Sequence, residues 1–158
     1  MQSQTCITDN PPPTMKYIYW AFTHSNWAFL YIGKILIDQR KKEIIPPDIM
    51  FPILVALALA ESIAIFTNFK FQPFLLRLYY KPTTGPTTKG QDPILVYAIV
   101  LWAFCQSISI YGLVWIMLGG AQSPQISFVM LSLLSFWLAN PKAIIEQIKK
   151  NSSKTTQK

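Results

Sequence analysis

Apolar residues fall in four long runs, separated by polar or proline-bearing stretches. The first, residues 17–37, is long enough to cross the apolar layer of a bilayer at about 1.5 Å per residue. It nevertheless carries Thr23, His24, Ser25 and Asn26 near its middle and Lys34 near its end. The polar cluster must face protein, whereas Lys34 can snorkel to the interface. The second run, 47–69, opens on Pro46-Pro47-Asp48, which is helix-start chemistry. Within it Ala56, Ala60 and Ala64 recur at spacing four, a small-residue stripe that lets another helix approach closely where lipid supplies no hydrophobic drive.

The third run, 93–118, starts with Asp92-Pro93 as N-cap and first-turn proline, stops at Gly119-Gly120, and has length to spare for tilting. Ser123-Pro124 caps the fourth, 124–139, and Asn140-Pro141 restarts the chain as a basic amphipathic helix, KAIIEQIKK, within residues 141–158. Between the second and third runs, KFQPFLLRLYYK alternates apolar residues with bases and tyrosines, a pattern that suits an interfacial segment or a plain loop. PTTGPTTKGQ after it reads as a flexible linker. The polar, Pro-rich residues 1–15 read as a disordered leader without a cleavable signal. The expected fold is all-α: a polytopic membrane protein with four transmembrane helices over 16–140 and a short C-terminal amphipathic helix.

Composition strengthens this reading, because a chain that is 51% hydrophobic and only 13% charged is too apolar for an ordinary soluble domain. The net charge of +7 resides in loops and tail, which favours anionic lipid headgroups over nucleic acid as the partner. Lys16, Lys70, Arg77, Lys81, Lys89 and the lysines from Lys142 onward fall on one side of a four-span layout, against Lys34, Arg40, Lys41 and Lys42 on the other. That bias places both termini in the cytoplasm. Tyr17, Tyr19, Trp20, Trp27, Trp115 and Trp137 read as interface anchors. Cys6 and Cys105 lie in segments that should not meet, so no disulfide is expected.

There is no Gly-rich phosphate loop, no HExxH, no GxSxG and no cysteine pair, and only one histidine. The chain is therefore expected to be no enzyme and to hold no metal or cofactor. What remains is LALAESIAIF, Leu57 to Phe66, which buries the single acid Glu61 in an apolar run. A charge at bilayer depth costs on the order of 3 kcal/mol or more, so it needs a partner or a task. The stretch is echoed by WAFCQSISIY, Trp102 to Tyr111, with Gln106 in the place of Glu61. Counting from the expected cytosolic ends, Glu61 and His24 both lie roughly 12 Å deep and Gln106 roughly 20 Å. Two readings follow. Glu61 is a protonatable or cation-binding carboxylate oriented by His24 or Gln106, with Ser62, Ser107 and Asn26 as hydrogen-bonding neighbours. Alternatively, these groups are interhelical glue, the reading we prefer because a static bundle needs such bonds as much as a transporter does.

QSISIYGLV, Gln106 to Val114, resembles the carboxylate helix of the rotary ATPase proteolipid, the ring-forming c subunit. The likeness is local, covering this stretch and that around Glu61. It implies an acid that binds the transported proton or sodium ion, at Glu61 in one copy and replaced by a non-titrating Gln106 in the other. Because the two copies fall on consecutive spans, they are expected to run antiparallel, as an inverted pseudo-repeat. The layout as a whole resembles small four-span bacterial membrane proteins, which implies a bacterial inner membrane. The function expected from these readings is that of a small non-catalytic subunit or accessory protein of a larger membrane complex, packing on other helices through Ala56, Ala60, Ala64 and Ala103. The rival is proton or cation translocation through Glu61.

Overall fold

The computed structural model describes residues 10–39, 49–71 and 93–155, with side chains at 10–39, 49–67 and 94–149. The start of the leader, the loop around Lys41, the KFQPFLLRLYYK segment with its linker, and the last tail residues lie outside the described residues. Every element within them is helical: α1 (Pro13–Asp38), α2 (Met50–Phe71), α3 (Pro93–Met117), α4 (Gln122–Leu138) and α5 (Pro141–Thr155).

Local chemistry accounts for most of the boundaries. Helix α1 starts four residues before the expected Tyr17 because Pro13 suits the first turn, where a missing N–H costs nothing. Helix α3 ends in paired bonds, from the Gly120 N–H to the Trp115 carbonyl (2.9 Å) and from the Gly119 N–H to the Ile116 carbonyl (3.0 Å). Gly119 lies between them at φ 103°, the left-handed conformation that glycine adopts without strain. Helix α4 departs from expectation: its N-cap is Ala121, with no side-chain cap, and Ser123-Pro124 sits inside its first turn. Asn140 Oδ1 accepts the Ala143 N–H at 2.9 Å and so caps α5.

Cross-helix contacts fix the topology. Tyr19 packs on Trp102 and Asn26 meets Ser109, so α1 and α3 run parallel. Cys105 meets Ser132 and Trp102 meets Ala139, so α4 runs antiparallel to α3. Phe51 packs on Trp115 while Glu61 reaches Ser107, so α2 is antiparallel to α3 as well. The helices thus alternate in direction around α3. Helices α1, α3 and α4 all pack on one another, whereas α2 leans chiefly on α3. Helix α5 turns by 45° from α4 and buries Ile144, Ile145 and Ile148 in the same core as Met15. The Trp102 indole N–H donates to the Ala139 carbonyl at that bend (2.8 Å), satisfying a group the bend releases.

Two helices, α2 and α3, are long and apolar enough to cross a membrane, and a third span arises if α4 and α5 count as one bent crossing. Helix α1 has the length but carries the Thr23–Asn26 polar cluster, and α4 alone has only 17 residues. Ile53, Leu57, Leu59, Ile63 and Phe66 of α2 are all exposed, a continuous apolar surface that water would penalise and lipid does not. Tyr17, Trp20, Trp27 and Trp137 also face outward. Tyr19 and Trp115 do not. Tyr19 donates its hydroxyl to the Phe136 carbonyl and packs on Trp102, and Trp115 is buried against Phe51.

Candidate functional site: a polar layer across the bundle

The polar side chains at the middle of α3 point to two sides. Towards α1 and α4, Ser109 donates to Asn26 Oδ1. The Ser132 hydroxyl lies 3.0 Å from the same oxygen and 2.6 Å from the Cys105 carbonyl. The Asn26 Nδ2 donates back to the carbonyls of Phe22 and Thr23 at 3.3 Å each. Asn26, Ser109 and Ser132 are fully buried, so one amide ties three helices at a single level. Its position explains why a polar residue sits in α1: the polar cluster is not one face. Asn26 points inward, while His24 is exposed, with Nδ1 2.8 Å from the Trp20 carbonyl and its ring beside the Trp20 ring.

About two turns of α4 nearer its start, Gln125 Nε2 donates to the Phe29 carbonyl at 2.8 Å. This is possible because Gly33 leaves the room: a Cβ there would meet the Gln125 amide at 2.1–2.5 Å. Gly33→Ala should therefore displace Gln125 and cost about 1–2 kcal/mol of stability, read as a lowered midpoint of thermal unfolding in detergent.

Towards α2, Glu61 receives two hydroxyls of α3. Tyr111 donates to Oε1 at 2.6 Å and Ser107 approaches Oε2 at 2.5 Å. Ser107 also lies 2.6 Å from the Phe104 carbonyl, so one hydroxyl proton faces two acceptors. Ser62 does not join; its hydroxyl donates to the Ala58 carbonyl within α2 (2.7 Å). The expected orienting groups of Glu61, His24 and Gln106, are not its partners. Tyr111 takes the place assigned to them, and its spacing of four from Ser107 was the available signal, since hydroxyls at i and i+4 share a helix face.

The depth expectation for Gln106 also fails. Glu61 lies level with Ser107, the very next residue to Gln106, because the ends of α2 and α3 are offset by about 6 Å and cannot serve as a common origin. Gln106 itself is 7% exposed, and neither Nε2 nor Oε1 has a partner among the described residues. An unpaired buried amide costs about 1–3 kcal/mol.

The small-residue stripe is not the face that packs within the chain. Leu54, Ala58 and Ile65 are the buried positions of α2, with Glu61 and Ser62 half-buried beside them, while Ala56, Ala60 and Ala64 lie on the opposite, exposed edge. Ala103 of α3 is exposed too. Helix α2 is apolar on all sides, so periodicity cannot select its inner face; the face that brings Glu61 to two hydroxyls is the one turned inward. Between α2 and α4 a cleft of about 340 Å³ opens outward, lined by Phe51, Val55, Ala58, Phe128 and Leu131 with Ser123 and Ser127.

The two echoing stretches are antiparallel neighbours but not equivalent environments. Ala58 and Ile65 are buried, and their counterparts Ala103 and Ile110 are exposed. Among the described residues, no three His, Cys, Asp or Glu side chains converge as metal ligands. Comparison with protein-family models, with characterised proteins and with solved structures finds no match to this chain.

Proposed function

We propose that the protein is a small non-catalytic integral subunit or accessory factor of a larger membrane complex, a four-span bundle in which α2 is the arm offered to other helices. The observation that carries this reading is the two-sidedness of α2. Its inner face is engaged by α3 through Glu61, and its outer face presents Ala56, Ala60 and Ala64 uncovered. Small residues on a lipid-facing edge allow the close backbone approach on which helix association in lipid depends.

Packing supports four spans where length and hydropathy alone support fewer. Helices α1 and α4 each lie along α3 over about two turns, from Trp102 to Ser109 on one side and from Cys105 to Gly112 on the other. Neighbours in such register share the depth of the helix they flank. The alternating directions then put both termini on one side, which the Lys and Arg distribution assigns to the cytoplasm of a bacterial inner membrane, against anionic headgroups. Cysteines replacing Lys41 and Gly85 should react with an impermeant thiol reagent from opposite faces of the membrane; labelling of both from one face would end the four-span assignment.

A second reading, proton or cation translocation through Glu61, draws on the Ser107 hydroxyl, whose single proton is shared between Glu61 Oε2 and the Phe104 carbonyl. A proton arriving on Glu61 would complete that chain of donors, so the site can accept one without rearrangement. Glu61→Gln separates the readings, because it keeps shape and hydrogen bonding and abolishes titration. On the subunit reading, proteoliposomes of wild type and Glu61→Gln show the same ion flux, and the variant still co-purifies with its neighbours from native membranes. Flux present in wild type and lost in Glu61→Gln would reverse the order of the two readings.

A further inference from the structure

We infer that two copies of the chain pair through α3, with the Gln106 amide of each bonded to the Gln106 amide of the other. The inference rests on the reading of the protein as membrane-embedded, but it uses a different helix face from the α2 edge proposed above.

The argument starts from the broken symmetry of the echo. In a symmetric pair of repeats, contacts are reciprocal: if residue i of one meets j of the other, j meets i. Glu61 of the first stretch meets Ser107 and Tyr111 of the second. Reciprocity would then bring Gln106 to Ser62 and Phe66. Phe66 has no hydroxyl to offer, and the Ser62 hydroxyl is committed to the Ala58 carbonyl. Among the described residues Gln106 accordingly keeps both polar atoms unpartnered although it is more than nine-tenths buried. Lipid supplies no hydrogen bond to such a group, so its partner must come from protein.

The geometry of α3 shows where. Ala103, Gln106 and Ile110 fall at spacings of three and four and share one helix face. Ala103 and Ile110 are exposed on it, and Gln106 sits at its margin, on a side chain with three rotatable bonds that can carry the amide outward. Ala103 removes bulk where a second helix would come nearest. The amide itself selects the occupant. It needs one acceptor and one donor at its own depth in the bilayer, and an identical amide supplies both. A two-fold axis along the membrane normal sets the two Gln106 side chains at equal depth by construction, whereas a different partner would need an amide-like group placed there independently.

The test is cysteine capture in native membranes. In a background with Cys6→Ser and Cys105→Ala, Ala103→Cys is expected to yield, on mild oxidation, a species of twice the chain mass. Adding Gln106→Leu should weaken association roughly 3- to 10-fold, the range of interhelical polar contacts in lipid, and Gln106→Asn should retain more of the product than leucine does. Absence of the Ala103→Cys product, or an equal yield with Gln106→Leu, overturns the pairing. Capture at Ala60→Cys but not at Ala103→Cys also overturns it while leaving the α2 edge, and hence the subunit reading, in force. Release of the chain from membranes by alkaline carbonate would end both.

Discussion

Asn26→Leu should lower the stability of the detergent-purified protein by about 2 kcal/mol, the largest loss expected from removing one polar side chain. Leucine is close in size and better suited to lipid, so loss of apolar packing is not the cause. The cost lies in the groups left behind. Ser109 loses its acceptor within the α1–α3–α4 seam, and Ser132 keeps only the Cys105 carbonyl. A midpoint of thermal unfolding lower by several degrees is expected. Ser109→Ala should cost less than Asn26→Leu, and the double variant should cost less than the sum, because both remove the same bond. Full additivity would show that the buried layer is not a network.

Gly112→Leu should be more damaging still, at about 3 kcal/mol or beyond. A Cβ at this position would lie 3.0 Å from the Phe128 Cβ and 3.2 Å from the Gln125 Cα and carbonyl oxygen. Two of those three atoms are backbone, which no rotamer change can move, so a longer side chain has to push α4 away from α3. That shift would also strain the Cys105–Ser132 contact seven residues away in α3, roughly two turns. Gly112→Ala meets the same atoms with one carbon and should cost about 1 kcal/mol. The expected readout is a loss of folded, monodisperse protein for leucine and a modest shift in unfolding midpoint for alanine. Equal behaviour of the two would mean the helices are not in contact at Gly112.

The all-helical character of the chain was legible because its signals are local. Proline and glycine punctuation marked the ends of α3 and the start of α5 within a residue or so, and runs of apolar residues marked the helices between. The inner face of α2 was not legible, for a physical reason: with apolar side chains on every side, burial preference is flat, and the small-residue stripe at Ala56, Ala60 and Ala64 was a plausible but outward-facing alternative. The partners of Glu61 were hidden by a different cause. Depth counted from loop ends presumes that those ends are level, and α2 and α3 are offset. Asn26 was visible as a polar residue that needed protein, but its link to Ser109 and Ser132 depends on α1 and α3 being parallel across an intervening helix, which no local pattern encodes.

The Asn26 seam also bears on the order in which the chain is made. Its hydroxyl partners lie 83 and 106 residues further along, so when α1 leaves the ribosome neither has been synthesised. On the four-span proposal, helix α1, the least apolar of the long helices, has no buried partner for Asn26 in the bilayer until α3 and α4 have been made. Under that proposal its commitment to the bilayer is a late event, completed when α4 is in place. On the four-span proposal, a cysteine replacing Ala28 in α1 should react with an impermeant thiol reagent in a truncation ending before Ser109 and be shielded from it in the full chain.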